Sequence, residues 1–244
     1  MAEKKLKSQA GEREVIILAG GLGTRLRTVV SHLPKCMAPV NGKPFLFYVI
    51  DYFQNQGAEQ FIFSLGYKHE IIKEYLNDQY TTLHIQYSTE EEPLGTGGAI
   101  KKACTYTTAQ NVLVANGDTL FTADISKLLA FHAVHDADCT LALKPMKDFS
   151  RYGAIELNED HSIRKFSEKK HYKEGFINGG MYVLNRVKFL HELLPEKFSF
   201  ETDYLEPLYR ERKMYGFVQD EYFIDIGIPE DYERAQRELG ERNF

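Results

Sequence analysis

The apolar run Val15-Ile-Ile-Leu-Ala19 is followed without a break by Gly20-Gly-Leu-Gly-Thr-Arg25. A short apolar run of this kind is typical of a buried strand in a parallel sheet. The glycines let the backbone approach a ligand closely, while Thr24 and Arg25 add a hydroxyl and a fork of charged donors suited to phosphate oxygens. In open α/β sheets, ligands bind at the loops that follow the strands. The segment therefore predicts a polyphosphate-binding turn after the first strand.

Two common phosphate-binding motifs do not fit this segment. A dinucleotide fingerprint needs a third glycine where Leu26 stands, and a P-loop needs Ser or Thr where Pro44 follows Gly42-Lys43. A lone lysine, Lys35, lies further along in a loop that two prolines stiffen. We interpret Lys35 as a cation held in place for a phosphate, although most lysines are solvated surface groups.

Strands and helices alternate through the first part of the chain. We predict strands at Val15–Ala19, Gln60–Leu65, Leu83–Tyr87 and Asn111–Ala115, helices at Phe45–Gln56, His69–Asn77 and Ser126–His135, and a loop at Pro93–Gly98 before a helix through Cys104. This alternation predicts an α/β fold: a Rossmann-like, mostly parallel sheet with helices on both faces.

The pattern changes after Lys144, where strand-like segments come with fewer helices between them. These segments are Ala154–Leu157, Ser162–Phe166 and Phe176–Leu184, and a last helix begins at Pro229. We predict a smaller mixed-sheet lobe here. The predicted organisation is a flexible tail at 1–13 and a single domain at 14–244, with a first lobe at 14–144, a second lobe at 145–228 and a C-terminal helix at 229–240.

Composition excludes several classes of function. The 244 residues carry a net charge of −5 and are 43% hydrophobic, which fits a globular protein and argues against nucleic acid as the main partner. The three cysteines are widely spaced and odd in number, which favours a reducing cytoplasm over a disulfide framework. We find no signal peptide and no apolar run as long as a membrane span, so we expect no membrane partner.

Short motifs follow one another in a fixed order along nearly the whole chain. They are Gly20–Leu26, Pro34-Lys35, Met37-Ala38-Pro39, Pro93–Ala99, Asn116-Gly-Asp118, Glu168-Lys169, Asn178-Gly-Gly180 and Asp225-Ile-Gly-Ile-Pro229. In this order they resemble the motifs of the sugar-phosphate nucleotidylyltransferases. The resemblance implies the nucleotide-diphospho-sugar transferase type of fold. It also implies an enzyme that joins a sugar 1-phosphate to a nucleoside triphosphate with Mg²⁺ as cofactor, releasing pyrophosphate.

Three stretches are similar to a subgroup of short members, namely Glu92–Lys101, Lys197–Glu201 and Tyr222–Tyr232. This similarity implies GTP and D-glycero-α-D-manno-heptose 1-phosphate as substrates. Other substrates of the family stay open: mannose 1-phosphate with GTP, or glucose 1-phosphate with a thymidine, uridine or cytidine triphosphate. Cys36 departs from the family pattern, in which proline commonly follows the lysine.

The resemblance also implies roles for individual residues. Arg25 and Lys35 match the catalytic cations, and Asp118 and Asp225 match the metal ligands. Asp118 comes after the predicted strand Asn111–Ala115, and Asp225 follows a predicted strand at Tyr222–Ile224. The nucleotide-binding positions are Leu18, Ala19, Gly20, Gly21, Gly23, Thr24, Arg25, Lys35, Glu92, Pro93, Gly95, Thr96, Gly97, Asn116 and Gly117. The positions that bind the sugar phosphate are Gly153, Glu168, Lys169, Asn178 and Gly179.

Competing interpretations remain at this level. A glycosyltransferase commonly carries a D-x-D pair, whereas Asn116-Gly-Asp118 has one acid. A non-catalytic nucleotide sensor on the same scaffold would be favoured by loss of the catalytic cations or aspartates, all of which are present. His132, His135 and Asp138 have a spacing that suggests zinc, but we interpret them as the polar surface of a helix end. A homodimer is a further expectation.

Overall fold

The computed structural model describes residues 13–21, 30 and 32–240, so Gly23, Thr24 and Arg25 of the predicted turn lie outside the described residues. The strands are β1 Arg13–Leu18, β2 Pro39–Val40, β3 Lys43–Pro44, β4 Ala58–Leu65, β5 His84–Thr89, β6 Asn111–Asn116, β7 Thr119–Phe121, β8 Cys139–Phe149, β9 Ala154–Leu157, β10 Ile163–Ser167, β11 Tyr172–Asn185, β12 Met214–Val218 and β13 Phe223–Asp225.

Helices connect many of these strands. They are α1 Phe45–Asn55, α2 His69–Gln79, α3 Gly95–Ala103, α4 Ile125–Val134, α5 Arg186–Leu190, α6 Glu206–Leu208 and α7 Pro229–Glu238. Two 3₁₀ turns at Lys35–Met37 and Cys104–Tyr106 and a π-helical turn at Phe200–Leu205 complete the regular structure of the described residues. None of the described helices is both long and apolar enough to cross a bilayer.

Among the described residues, the main sheet has nine strands, which form two different halves. In one half, β5, β4, β1 and β6 lie side by side and run parallel, as the alternating pattern predicts. In the other half, β11 runs antiparallel to β6, β8 and β9, and β10 runs antiparallel to β9. The predicted α/β class is therefore confirmed, and β8, which runs through Lys144, already belongs to the mixed half. The sequence pattern did not predict β8, which begins at Cys139 and pairs parallel with β12.

Alternate residues of β1 contribute to the two faces of the sheet. Val15 and Ile17 belong to the hydrophobic cluster that contains the apolar faces of α1, α2 and α4. Ile16 belongs to a second cluster, which contains residues of α3 and α5 and the aromatic rings of the π-helical turn. All three residues are fully buried, and each such side chain stabilises the fold by roughly 1.5–3 kcal/mol. Helices therefore cover both faces, as expected for a sheet with a parallel half.

The prediction of a loop at Pro93–Gly98 is wrong for its last four residues, because α3 begins at Gly95. The first turn of a helix has N–H groups without partners inside the helix. Here the N–H groups of Gly97 and Gly98 both donate to the carbonyl oxygen of Phe198, at 3.0 and 3.3 Å. The local sequence pattern contains three glycines and therefore predicts a loop. It carries no information about a partner as distant in the chain as Phe198.

Candidate active site

A cleft of about 710 Å³ opens at the carboxyl ends of β1 and β6. β1 and β6 are neighbours in the sheet. The next strand beyond β1 is β4, and the next strand beyond β6 is β11. The chain order therefore reverses at this point, and ligands of open α/β sheets bind at such reversals. The residues that line the cleft come from both halves of the sheet, since Leu18 ends β1 and Asn116 ends β6, whereas Asn178 lies on β11.

The short strand pair β7–β13 brings together two distant aspartates. In its antiparallel register, Asp225 at the end of β13 pairs with Thr119 at the start of β7. Asp118 directly precedes Thr119, and its carbonyl oxygen accepts a 3.2 Å hydrogen bond from the N–H of Ile226. Both aspartates line the cleft. A backbone ladder thus fixes the approach of two carboxylates that are far apart in sequence.

Lys35 lies between these two carboxylates. Its Nζ is 2.6 Å from Oδ2 of Asp118 and 3.3 Å from Oδ1 of Asp225. Its side chain is only 16% exposed, so the ion pairs are partly shielded from solvent. Burial lowers the pKa of the ammonium, but the negative charges of Asp118 and Asp225 together raise it by more, so the net shift is upward. Lys35 is therefore a fixed positive charge at neutral pH.

The rest of the surroundings of Asp225 also hold its carboxylate in place. Oδ1 accepts a 2.8 Å hydrogen bond from the N–H of Gly227, and Oδ2 accepts one of 3.2 Å from the hydroxyl of Tyr152. The guanidinium of Arg151 lies 3.6 Å from Oδ2 and also pairs with Asp231. Together with Lys35, these donors come from three segments of the chain, and they fix the orientation of the Asp225 carboxylate.

The thiol of Cys36, next to Lys35, lines the cleft but is buried. Burial raises its pKa to about 12, with a further contribution from the charge of Asp118. A thiol at this pKa is protonated at neutral pH, and the thiolate is the nucleophilic form. We therefore do not interpret Cys36 as a nucleophile. In its 3₁₀ turn, the residue instead helps to carry Lys35 into the cleft.

Polar side chains from β11 and the π-helical turn also line the cleft. Asn178 donates a 2.7 Å hydrogen bond from Nδ2 to the hydroxyl of Tyr182, and this hydroxyl lies 3.5 Å from Oε1 of Glu201. Lys169 lines the cleft as an exposed cation, and no ion pair is found for it in the described part of the chain. The cleft therefore also offers hydroxyl, amide and carboxylate groups and an exposed ammonium.

The structure brings many of the predicted site residues to this one cleft. Those that line it are Leu18, Ala19, Gly21, Lys35, Asn116, Asp118, Gly153, Glu168, Lys169, Asn178 and Asp225. Other described residues with predicted roles do not line the cleft, namely Gly20, Glu92, Pro93, Gly95, Thr96, Gly97, Gly117 and Gly179. Their predicted roles stay predictions, as do those of Gly23, Thr24 and Arg25.

Two of these glycines have a packing reason to be glycine. A Cβ on Gly117 would lie 2.9 Å from the carbonyl oxygen of Leu18, to which Gly117 N–H donates, so the ends of β1 and β6 could not meet. A Cβ on Gly97 would lie 2.1 Å from the ring of Phe198. Both glycines therefore support the walls of the cleft through close packing.

Sequence reasoning missed several cleft residues. Tyr152, Tyr182 and Glu201 line the cleft but were assigned no role. Tyr152 directly precedes the predicted Gly153, and Tyr182 stands four residues after Asn178 on the same strand, so strand periodicity could have suggested the second. Glu201 lies in Lys197–Glu201, a stretch that is similar to the subgroup but carries no implied role for this residue. No spacing in the sequence relates it to the other residues.

The histidine pattern has a structural explanation. His132 is buried, and its Nδ1 lies 2.9 Å from Oγ1 of Thr140, so its interpretation as polar surface is wrong. His135 Nδ1 lies 2.9 Å from the carbonyl oxygen of Phe131. Among the described residues, no group of three or more His, Cys, Asp or Glu side chains is placed to hold a metal ion.

A sheet that reverses at its ligand edge, with a carboxylate pair and a fixed lysine at that edge, places the chain among nucleotide-binding α/β proteins. The chain belongs to the nucleotidyl transferase family, whose family model matches residues 14–242. This membership confirms the family that the sequence motifs indicated.

Individual relatives are similar over nearly their whole length. D-glycero-α-D-manno-heptose 1-phosphate guanylyltransferase from Aneurinibacillus thermoaerophilus is 55% identical over 93% of this chain and 98% of the relative. The protein of the same name from Campylobacter jejuni subsp. jejuni is 46% identical over 90% of this chain and 96% of the relative. The crystal structure of HddC from Yersinia pseudotuberculosis complexed with GMP-PN matches with a TM-score of 0.84 and 38% identity, covering 93% of this chain and 99% of that chain.

Proposed function

We propose that the chain transfers the GMP group from GTP to D-glycero-α-D-manno-heptose 1-phosphate, giving GDP-heptose and pyrophosphate. The observation that carries this proposal is that a single cleft is lined by Lys35, Asp118 and Asp225, which interact with one another, and also by Asn178 and Lys169. Such a cleft has cationic and metal-binding groups for a triphosphate and separate polar groups for a phosphorylated sugar. The choice of base and sugar follows the two relatives that are 55% and 46% identical.

The chemistry requires two polyanions to meet. A phosphate oxygen of the sugar 1-phosphate attacks the α-phosphorus of GTP in line, a new P–O bond forms, and the bond to the β-phosphate oxygen breaks with release of pyrophosphate. The protein contributes mainly by positioning the groups and by neutralising charge. In our proposal Lys35 acts on the triphosphate together with Arg25, and Lys169 binds the phosphate of the sugar.

Asp118 and Asp225 fit a Mg²⁺ site. They are two convergent carboxylates, and Mg²⁺ is commonly bound by one or two carboxylates together with substrate phosphates. One ammonium already interacts with both carboxylates, so the two groups are close enough to share a cation. When bound, Mg²⁺ would offset charge on the phosphates. Lys35 and the donors around Asp225 orient the two carboxylates for that role.

The remaining binding roles follow the same division of the cleft. We assign the nucleotide to the end of β1 and to the neighbouring loops, through the nucleotide-binding positions given above. We assign the sugar phosphate to Gly153, Glu168, Lys169, Asn178 and Gly179. The side-chain amide of Asn178 can bind a sugar hydroxyl, and Gly153 leaves space for the ring.

Location, organisation and oligomeric state are further parts of the proposal. The three cysteines are free thiols, which supports the reducing cytoplasm as the site of the reaction. We keep the division into a nucleotide-binding lobe at 14–144, a sugar-phosphate lobe at 145–228 and the C-terminal helix. We also propose that the protein forms a homodimer. Sedimentation of the purified protein measures this oligomeric state directly.

The test is a screen of pyrophosphate release. The purified protein is mixed with each of the four common nucleoside triphosphates and with heptose, mannose or glucose 1-phosphate, with and without Mg²⁺. We expect release with GTP and heptose 1-phosphate at a kcat/KM well above that of any other pair, and only with the divalent ion. Release with another pair alone would reassign the substrates. Binding of GTP without release with any sugar would favour the nucleotide sensor.

A further inference from the structure

A chain of hydrogen bonds links Thr96, Glu201, Tyr182 and Asn178, of which the last three line the cleft. The hydroxyl of Thr96 donates to Oε2 of Glu201 at 2.9 Å, and the hydroxyl of Ser199 lies 3.3 Å from the same oxygen. Oε1 of Glu201 lies 3.5 Å from the hydroxyl of Tyr182, which in turn accepts from Nδ2 of Asn178 at 2.7 Å. Glu201 therefore connects the start of α3 with β11.

The direction of these hydrogen bonds is fixed from the Asn178 end. Oδ1 of Asn178 accepts a 2.9 Å hydrogen bond from the N–H of Gly180, so its Nδ2 is the group that faces Tyr182. The hydroxyl of Tyr182 accepts from this amide and donates its own hydrogen to Glu201. Because the ring of Tyr182 is buried, this arrangement has little freedom to change. The carboxylate of Glu201 is thus held in one orientation along the cleft wall.

Glu201 differs from Asp118 and Asp225 because the partners of its carboxylate are neutral. Asp118 and Asp225 both pair with Lys35, whereas Glu201 forms no ion pair with any residue that the structure describes. Glu201 is half-buried and lines the cleft. A carboxylate has about four lone-pair sites, so three hydroxyl contacts leave it able to accept more hydrogen bonds. Its surroundings suit neutral O–H donors of a ligand.

Charge decides which part of the substrates can face Glu201. A phosphate group would be repelled by an uncompensated carboxylate, and phosphates have Lys35 and Lys169 elsewhere in the cleft. The neutral parts of the substrates are the base, the ribose and the sugar ring. One oxygen of Glu201 accepts from Thr96, a predicted nucleotide-binding residue, and the other is linked through Tyr182 to Asn178 of the predicted sugar site. Of these two predicted residues, Asn178 lines the cleft together with Glu201 and Thr96 does not.

We infer that Glu201 is a specificity-determining residue whose carboxylate accepts hydrogen bonds from hydroxyl groups of the sugar ring. This inference rests on the proposed function and deepens it, because it identifies the group that recognises a polyhydroxylated sugar 1-phosphate. Tyr182 and Asn178 act as positioning residues for the carboxylate. A site built to bind a hydroxyl rejects an analogue that lacks it, because its own polar groups are then left without partners.

The test compares Glu201→Gln with the wild type in steady-state kinetics, because this change removes the charge and keeps the size. We expect kcat/KM for heptose 1-phosphate to fall roughly 10- to 100-fold, as for loss of a hydrogen bond to a charged group. We expect the KM for GTP to stay within about twofold. The 2-, 3- and 4-deoxy analogues of the sugar phosphate complete the panel. The wild type should discriminate against at least one of them, and Glu201→Gln should discriminate against it less.

Glu174→Gln is the matched control, since Glu174 is an exposed carboxylate on β11 that does not line the cleft. Its kinetics should equal those of the wild type. Glu201→Gln with wild-type kinetics and wild-type discrimination would overturn the inference alone. A rise in the KM for GTP, with weaker preference for guanine, would assign Glu201 to the base and also overturn it. A folded wild type that turns over no sugar 1-phosphate would overturn the proposed function itself.

Discussion

The ammonium of Lys35 donates a 2.6 Å hydrogen bond to Oδ2 of Asp118, a residue 83 positions further along the chain. The same ammonium lies 3.3 Å from Asp225, which is 190 positions away in sequence. One cation thus links three segments at the end of the parallel sheet. Two carboxylates this close repel each other, and the intervening positive charge offsets that repulsion. We therefore treat Lys35, Asp118 and Asp225 as one charged unit.

Replacing Lys35 with Met should remove the cation but keep most of the volume of the side chain. We expect kcat/KM to fall roughly 100- to 1000-fold, as for other losses of a fixed charge from a reaction site. Lys213→Met is the control, because Lys213 is an exposed lysine that pairs with Asp136 outside the cleft. Pyrophosphate release measures both variants. Near-normal activity of Lys35→Met would remove this lysine from the reaction.

Glu14 makes a different prediction, which concerns stability. Its buried carboxylate accepts hydrogen bonds from the N–H of Thr108 at 3.0 Å, the hydroxyl of Thr108 at 2.9 Å and the N–H of Ala109 at 3.4 Å. Glu14→Leu should lower the free energy of unfolding by roughly 2–4 kcal/mol, since it leaves several donors without partners. The exposed Glu59 offers a control, and Glu59→Leu should change stability by less than about 0.5 kcal/mol. Urea unfolding measures the stability of both variants. Equal stabilities of Glu14→Leu and Glu59→Leu would contradict the prediction.

His132 should make stability depend on pH. Burial lowers its pKa to about 4, against 6.5 for the free side chain. Above pH 6.5 the imidazole is neutral in both states. As the pH falls from 6.5 toward 4, the unfolded chain binds a proton that the folded chain does not, so the folded state loses stability.

The size of this effect at pH 5 follows from the same linkage. Between pH 7 and pH 5 the wild type should lose about 2 kcal/mol more of its free energy of unfolding than His132→Gln, which cannot be protonated. His171→Gln, at an exposed position, should keep the pH dependence of the wild type. Urea unfolding at the two pH values is the measurement. Parallel pH profiles for His132→Gln and the wild type would show that this histidine is not buried in neutral form.

Much of the fold could be predicted because local signals and tertiary packing agree. The apolar run at Val15–Ala19 gave β1, and the helix that was predicted from Phe45 ends at Asn55 with Gly57 two residues beyond it. Gly57 has a φ of +82°, the conformation that a glycine after a helix commonly adopts. β8 was missed because Lys144, Lys147 and other polar residues interrupt its pattern, and its pairing with β11 and β12 is non-local.

The site was harder to predict than the fold. Motifs that resemble a known family pointed to Lys35, Asp118 and Asp225, but only the β7–β13 ladder explains why the two aspartates meet. The resemblance gave no role to Glu201 or Tyr182. Their hydrogen bonds depend on the separate packing of the π-helical turn against α3, and Thr96 and Glu201 are 105 positions apart. Contacts of this range are set by the folded structure and leave no periodicity in the sequence.

The central claim is that the carboxylate pair and Lys35 form the site of nucleotidyl transfer. The most direct measurement compares Asp225→Asn with Asp220→Asn in Mg²⁺-dependent pyrophosphate release from GTP and heptose 1-phosphate. Asp220 is an exposed aspartate that pairs with Lys144, so its variant controls for loss of one negative charge. We predict that Asp225→Asn stays folded but loses turnover by at least about 1000-fold, while Asp220→Asn keeps wild-type activity. Wild-type turnover by Asp225→Asn would contradict the claim.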